Sequence, residues 1–135
     1  MRAYLAAYGA TLVVLLVFDM AWLSTVGASV YRPRLGALLL DRPVLWAAAL
    51  FYLVYAVGVV VFAVAPAMRS ESWTRALWAG ALFGVFAYAT YDLTNLATVR
   101  GWSGLVTVLD IGWGAVLTAL AASAGTITAR AAAAP

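Results

Sequence analysis

Four long apolar runs, separated by short polar connections, constrain the fold of this chain more than any other feature. The runs cover residues 4–26, 44–67, 73–99 and 103–128. Each is long enough to cross the hydrocarbon core of a bilayer, which takes roughly 20 apolar residues. Charged residues make up only 10% of the chain, whereas about 25% is typical of a soluble domain. The sequence therefore predicts an all-α polytopic membrane protein, with residues 1–135 forming one domain of four transmembrane helices in a compact antiparallel bundle.

The first run could be mistaken for a signal peptide, because Met1-Arg2 precedes it. Its length, the acid Asp19 inside it and the lack of a clear small-x-small cleavage site favour a retained helix. Four spans place both termini on one side of the membrane. The positive-inside rule does not decide which side, and we adopt a cytoplasmic N-terminus. The arginines divide evenly between Arg2, Arg69, Arg75 and Arg130 on one side and Arg32, Arg34, Arg42 and Arg100 on the other.

The connection from Ala28 to Pro43 is the longest, and Pro33 and Pro43 are predicted to break or begin helices there. Its leucine-rich stretch is typical of a short segment lying along the membrane interface. Such a segment serves as an anchor, or as a lid or partner surface. The connection of residues 69–75 is short and polar, so the second and third helices should be antiparallel neighbours, with Ser70 or Ser72 as a helix cap.

Several classes of chemistry are excluded by composition. The chain has no Cys and no His, and all its basic residues are Arg. A Cys/His zinc site, a haem ligand of the usual kind, a Lys Schiff base and a Ser-His-Asp triad are therefore absent, and we expect no cofactor. The arginines flank apolar runs as interface markers and form no basic patch, so we expect membrane lipids and no nucleic acid as partners.

Polar residues gather near the end of the third run, in the stretch Tyr88-Ala-Thr-Tyr-Asp-Leu-Thr-Asn95. Ionisable groups at membrane depth are costly, so they usually face a partner or a water-filled pocket. Small residues on the same helix face permit close helix packing, for which Gly80 and Gly84 are the candidates. At about 100° per residue the shared face holds Gly80, Gly84, Tyr88, Tyr91, Asp92, Asn95 and Thr98.

Three acids are predicted to lie at one depth. From their distances to the ends of their runs, Asp19, Asp92 and Asp110 lie roughly 10–12 Å below the same membrane surface at 1.5 Å per residue. Tyr52 reaches the same layer. The sequences Asp19-Met-Ala-Trp22 and Asp110-Ile-Gly-Trp113 also match as Asp-x-small-Trp on helices of opposite direction. This short match is a weak sign of an inverted repeat.

No basic residue lies within the spans at this depth. Either most of the acids are protonated, or a cation lies among them, or an arginine from a connection reaches down. Aromatic faces favour organic cations and carboxylate oxygens favour hard metal ions. The sequence therefore does not decide whether the site binds a metal ion. The alternative is that the acids only cap helix ends at the interface. The candidate ligand- or ion-binding residues are Asp19, Asp92, Asn95, Asp110, Tyr88, Tyr91, Trp22, Trp113 and Tyr52.

Several motifs together resemble a family of small bacterial membrane proteins, domain of unknown function family 2177. The most specific is Tyr91-Asp-Leu-Thr-Asn95, and the resemblance covers almost the whole chain. It implies a four-helix, multi-pass protein of the bacterial inner (plasma) membrane, and it implies no particular activity, substrate or catalytic residue. The other motifs are Asp19-x-x-Trp22-Leu, Tyr31-Arg, Phe51-Tyr-x-x-Tyr55, Gly80-Ala-x-Phe-Gly84 and Asp110-Ile-x-Trp-Gly114.

Three functions are compatible with these features. In the first, the acidic and aromatic pocket binds or transports a proton, a metal ion or a small cation. In the second, the protein is a membrane-embedded enzyme that acts on a lipid or isoprenoid by carboxylate acid/base chemistry. In the third, it is an accessory subunit whose polar face docks another membrane protein. A homodimer through small-residue faces is compatible with each.

Overall fold

The computed structural model describes residues 1–70 and 72–134, and every residue of regular structure in them is helical. Four helices are long and apolar enough to cross a membrane: α1 (Arg2–Leu38), α2 (Leu45–Arg69), α3 (Trp73–Thr98) and α4 (Gly104–Ala133). The predicted all-α fold of four transmembrane helices is confirmed. The end of the chain at Pro135, and Glu71 in the polar connection, lie outside the described residues.

The first helix extends well beyond its predicted end at residue 26. After Trp22 the chain winds as a π-helix over Leu23–Tyr31, then returns to α-helix over Arg32–Leu35. The hydroxyls of Thr25 and Ser29 donate to carbonyls four residues back, at 2.7 and 2.8 Å. Such bonds compete with the backbone for those carbonyls, which is consistent with the wider winding.

Pro33 does not end α1, contrary to the prediction of a loop from Ala28 to Pro43. It falls in the first turn of the α-helical segment Arg32–Leu35, where a missing N–H removes little. The second helix repeats this arrangement, because the π-helix Val60–Val64 precedes Pro66 in the segment Ala65–Arg69. The non-helical connection between α1 and α2 is therefore short.

The remaining helix ends are set by local caps. The Ser72 hydroxyl accepts the Arg75 N–H at 3.4 Å and caps α3, and Ser103 caps α4 by accepting the Val106 N–H at 3.4 Å. Between α3 and α4 the chain reverses at Gly101, whose φ of 78° favours glycine. The fourth helix continues to Ala133, beyond the predicted end of its run at residue 128.

The fourth helix is the centre of the bundle, with α1 and α3 packed antiparallel along it. A Cβ placed on Gly80 would lie 2.7 Å from the Thr118 carbonyl oxygen, and one on Gly84 would overlap the backbone of Gly114. A Cβ on Gly125 would likewise overlap the Thr11 hydroxyl. These glycines contact other helices of the same chain, so they are not available to a second copy. The homodimer through small-residue faces stays a prediction, and it would need other small residues.

The second helix packs unevenly. Its C-terminal half is buried against the bundle through Val59, Ala63 and Val64, whereas the residues from Leu45 to Phe51 are exposed apart from the half-buried Ala48. The two ends of the bundle therefore differ, because a gap remains beside the first turns of α2.

Candidate functional site

A cavity of about 830 Å³ occupies this gap, within the 300–1,000 Å³ range typical of ligand pockets. All four helices and the connection between α1 and α2 contribute to its walls. Its outer part is apolar, and its inner part contains carboxyl and phenol groups. The polar and aromatic lining residues are Asp19, Tyr31, Arg32, Phe51, Tyr55, Tyr88, Tyr91, Asp92, Trp102 and Asp110, and the apolar ones are Leu23, Gly27, Leu35, Leu38, Leu39, Leu40, Pro43, Ala87 and Val106.

Asp19 is held by donors from two other helices. Its Oδ2 accepts the Tyr52 hydroxyl of α2 at 2.5 Å, and its Oδ1 accepts the Trp113 indole N–H of α4 at 2.9 Å. The residue is only 7% exposed. With a donor on each oxygen, this buried acid is satisfied by the protein itself.

The two Asp-x-small-Trp sequences meet in the structure. The indoles of Trp22 and Trp113 stack with centroids 4.4 Å apart and planes 3° apart. Trp22 donates its N–H to the Tyr31 hydroxyl at 3.0 Å, and Tyr31 donates to Asp110 Oδ1 at 2.7 Å. Each motif thus places its Asp beside a tyrosine donor and its Trp against the other Trp. The Trp113 N–H reaches Asp19 directly, whereas the Trp22 N–H reaches Asp110 only through the Tyr31 hydroxyl.

Asp92 differs from the other two acids. It is 0% exposed, and no donor among the described residues reaches either of its carboxyl oxygens. The carboxyl of Asp110 lines the same cavity and is close enough to interact with Asp92 electrostatically. Two ionised carboxylates have no hydrogen between them, so this contact becomes a bond only when one carries a proton. Asp92 is therefore a buried acceptor whose donor must come from outside the described side chains, as a proton, a water molecule or a ligand.

Acidic side chains outnumber basic ones in the cavity wall. Arg32 is the arginine that lines it, and its side chain belongs to the exposed outer rim. Arg100 does not line the cavity within the described part of the chain. In residues 1–70 and 72–134 no group of three His, Cys, Asp or Glu side chains is arranged to hold a metal ion. The acids share a cavity, but they form one adjacent pair plus a separately bonded Asp19.

The structure places the predicted site residues in three groups. Asp19, Asp92, Asp110, Tyr88 and Tyr91 line the cavity. Tyr52, Trp22 and Trp113 lie behind it in the hydrogen-bond and stacking network of the acids. In the described structure Asn95 is not brought to the cavity. A ligand-binding role for any of these residues stays a prediction.

The capping alternative does not describe these acids. Asp110 lies inside α4, whose cap is Ser103, and Asp19 lies inside α1, whose helical path continues for many residues beyond it. Neither carboxyl is at a helix end. Their hydrogen bonds go to tyrosine and tryptophan side chains of other helices.

Sequence reasoning missed two tyrosines of the site. The apolar run that predicts α1 stops at residue 26, which leaves Tyr31 in the predicted connection from Ala28 to Pro43. Continued helix would have placed it on the face of Gly27 and Leu35, both buried like Tyr31 itself. Tyr55 was also missed. It follows Tyr52 on the buried face of α2, and its hydroxyl lies 2.8 Å from that of Thr118.

Comparison with known proteins agrees with the architecture. No curated protein and no solved structure matches the chain. A family described as "Predicted membrane protein (DUF2177)" matches residues 4–127. The match extends across all four membrane-spanning helices and includes every residue of the cavity wall. The chain therefore belongs to the DUF2177 family of membrane proteins.

Proposed function

We propose that this protein binds a small organic cation at the inner, carboxyl-lined end of the cavity. The observation that carries the proposal is Asp92, which is fully buried, lines the cavity and receives no donor from the described residues. A buried polar group without a hydrogen-bond partner costs about 1–3 kcal/mol, and more when it is charged. A bound cation with N–H groups would supply the missing donors.

The neighbouring acid strengthens the case for a positive ligand. Asp110 already accepts the Tyr31 hydroxyl and lies beside Asp92. Two adjacent carboxylates inside a bundle repel unless a proton or cation lies between them. An ammonium group carries up to three N–H donors and one positive charge, so it matches both needs at once.

The shape and lining of the cavity favour an organic cation over a bare metal ion. The cavity is much larger than an ion and is lined by the rings of Tyr55, Tyr88 and Tyr91. Aromatic faces attract organic cations. The absence of a three-acid cluster in the described residues fits the same choice.

The test is equilibrium binding of hexylammonium to the protein in lipid nanodiscs, with empty nanodiscs subtracted. Asp92→Asn should weaken binding at least tenfold. Asp41→Asn is the matched control, because Asp41 is an exposed acid of the connection between α1 and α2, and that variant should bind as the wild type does. Equal affinity in wild type and Asp92→Asn would overturn the proposal. Where binding depends on Asp92, flux into liposomes separates a protein that transports the cation from one that only binds it.

A second function is favoured by one observation, the chain of groups from Tyr31 to Asp110 and Asp92 beside an apolar cavity. Adjacent carboxyls that share a proton can act as acid and base on a lipid or isoprenoid. Deletion of the gene should then change the lipid profile of the cell, and wild type but not Asp110→Asn should restore it. An identical lipid profile would reject this function.

A further inference from the structure

We infer that the cation is the protonated form of a lipophilic amine, which reaches the carboxyls sideways from the hydrocarbon through a window between α2 and α3. This inference rests on the proposed cation site and names its ligand class and route. It depends on the level at which the cavity opens, on the cover above the carboxyls and on the chemistry at Asp92.

The window lies at the depth of the acids. The hydrogen bond from Tyr52 to Asp19 fixes the level of α2, and Phe51 immediately precedes Tyr52 on that helix. On α3, Tyr91 is adjacent to Asp92. Both rings line the cavity, yet Phe51 is 45% exposed and Tyr91 is 58% exposed. The cavity therefore opens on the outer surface of the bundle at carboxyl depth, where that surface faces hydrocarbon.

The side of the cavity toward the nearer membrane surface has a mainly apolar cover, with Arg32 at its exposed rim. Leu35 is buried, and the following turn carries its leucines over the cavity before the chain reaches α2. A hydrated cation that approached from water on this side would have to lose its water among leucine side chains, which is costly. The cover consists of Leu35, Leu38, Leu39, Leu40 and Pro43.

The chemistry at Asp92 fits an amine that arrives uncharged. A neutral amine dissolves in hydrocarbon, and its nitrogen lone pair can take the proton shared by Asp92 and Asp110. The N–H bond forms as the carboxyl O–H bond breaks, which leaves an ammonium between two carboxylates with no net change in charge. The ammonium then donates to the oxygens that lack a donor, and its alkyl chain lies along the apolar wall.

The experiment compares primary alkylamines from butylamine to decylamine in nanodiscs, at equal aqueous concentration, with the Asp92→Asn signal subtracted. Each additional buried CH₂ should tighten binding roughly fourfold, so decylamine should bind at least a hundredfold more tightly than butylamine. Decyltrimethylammonium has no N–H donor and should bind more weakly than decylamine. Equal affinity for all chain lengths would overturn the lipophilic route.

A matched pair of glycines on α1 tests the same point from the protein side. Gly27 lines the cavity, and a Cβ there would meet only atoms of its own helix, none closer than 3.5 Å, so Gly27→Leu should fill cavity space and weaken decylamine binding at least tenfold. Gly9 is exposed with nothing within 4 Å of a Cβ, so Gly9→Leu should bind normally.

The two proposals fail in different ways. If no amine is sensitive to Asp92→Asn, the cation site itself is wrong. If Asp92→Asn abolishes binding but neither chain length nor Gly27→Leu changes it, the cation site stands and the lipophilic ligand with its lateral route is wrong. The chain-length series uses the wild-type protein, so it decides the point even if Gly27→Leu does not fold.

Discussion

The two ends of this bundle are built on opposite principles. At the end containing Gly80, Gly84 and Gly125, which we call the packed half, backbones approach so closely that an added Cβ would overlap a neighbour. At the other end, the open half, aromatic and acidic side chains line a cavity of about 830 Å³. The comparison indicates that the packed half fixes the helices and thereby sets the positions of the carboxyls in the open half.

The physical reason is the solvent. Lipid tails are as apolar as leucine, so helices in a bilayer associate through close packing and hydrogen bonds, with no hydrophobic force between them. The packed half meets this requirement with glycine, alanine and threonine along α4, where Thr118 and Thr126 are fully buried. The open half departs from close packing, and such departures are expected at functional sites.

The largest effect should come from the packed half. A Cβ on Gly84 would overlap the Gly114 backbone, which cannot move as a side chain can. We expect Gly84→Ala to lower the free energy of unfolding by about 3 kcal/mol, the upper part of the range for overpacking. Gly112→Ala on α4 is the control, because its Cβ would meet nothing within 4 Å. Unfolding in mixed SDS and mild detergent measures both, and equal stability would show that the packed half does not hold the helices.

Two of the three acids of the open half, Asp19 and Asp92, should respond to the same substitution with opposite signs. Asp19→Asn puts an amide N–H against Tyr52 or Trp113, both of which donate to this position. It should destabilise the protein by about 2 kcal/mol, since a buried donor is left unpaired. Asp92→Asn replaces one of two acceptors without a donor by an amide NH2, which can donate to Asp110, and removes the buried charge. It should leave stability unchanged or raise it by about 1 kcal/mol.

The same unfolding assay distinguishes these roles. Stabilisation by Asp92→Asn together with loss of hexylammonium binding would mark Asp92 as a residue kept for binding at the expense of stability. If Asp92→Asn destabilises as much as Asp19→Asn, both acids are structural and the distinction between them is wrong.

The contrast between the halves also explains what the sequence could predict. Four spans, the common depth of Asp19, Asp92 and Asp110, and close packing at Gly80 and Gly84 all follow from run lengths and spacing. These features depend on the constant rise per residue of a helix and on the positions of small side chains, and both can be obtained from a single sequence.

What could not be predicted depends on winding that departs from the α-helix. In both α1 and α2 a π-helical segment precedes a proline, Pro33 or Pro66, and the helix continues through it. The apolar run, which stops at residue 26, therefore ended the predicted α1 too early and left Tyr31 outside the site. Nor does spacing distinguish Asp92 from Asp19, because the donors of Asp19 come from helices whose rotation only packing determines.

A smaller effect is expected from removing one donor of Asp19. Tyr52→Phe deletes the hydroxyl that donates to Oδ2, while the Trp113 N–H still serves Oδ1. We expect a loss of about 1 kcal/mol in the free energy of unfolding, the typical net value of one hydrogen bond. Tyr4→Phe is the control, because Tyr4 is an exposed tyrosine of α1, 44% accessible. Equal stability of the two variants would mean that Tyr52 does not support Asp19.

The smallest effect compares two helix caps with the same hydrogen-bond distance, one in each half. Ser72 caps α3 at the packed end and Ser103 caps α4 at the open end, each accepting a backbone N–H at 3.4 Å. Because both bonds are long, Ser72→Ala and Ser103→Ala should each lower the free energy of unfolding by about 0.5 kcal/mol, the lower end for cap removal.

The effects of the two substitutions on hexylammonium binding should nevertheless differ. Ser103 begins the helix that carries Asp110, so a frayed first turn there loosens the carboxyl pair, whereas Ser72 lies at the opposite end of the bundle. Equal loss of stability with a change in affinity for Ser103→Ala alone would separate scaffold from site, and an equal change in affinity for both would show that the two halves do not act separately.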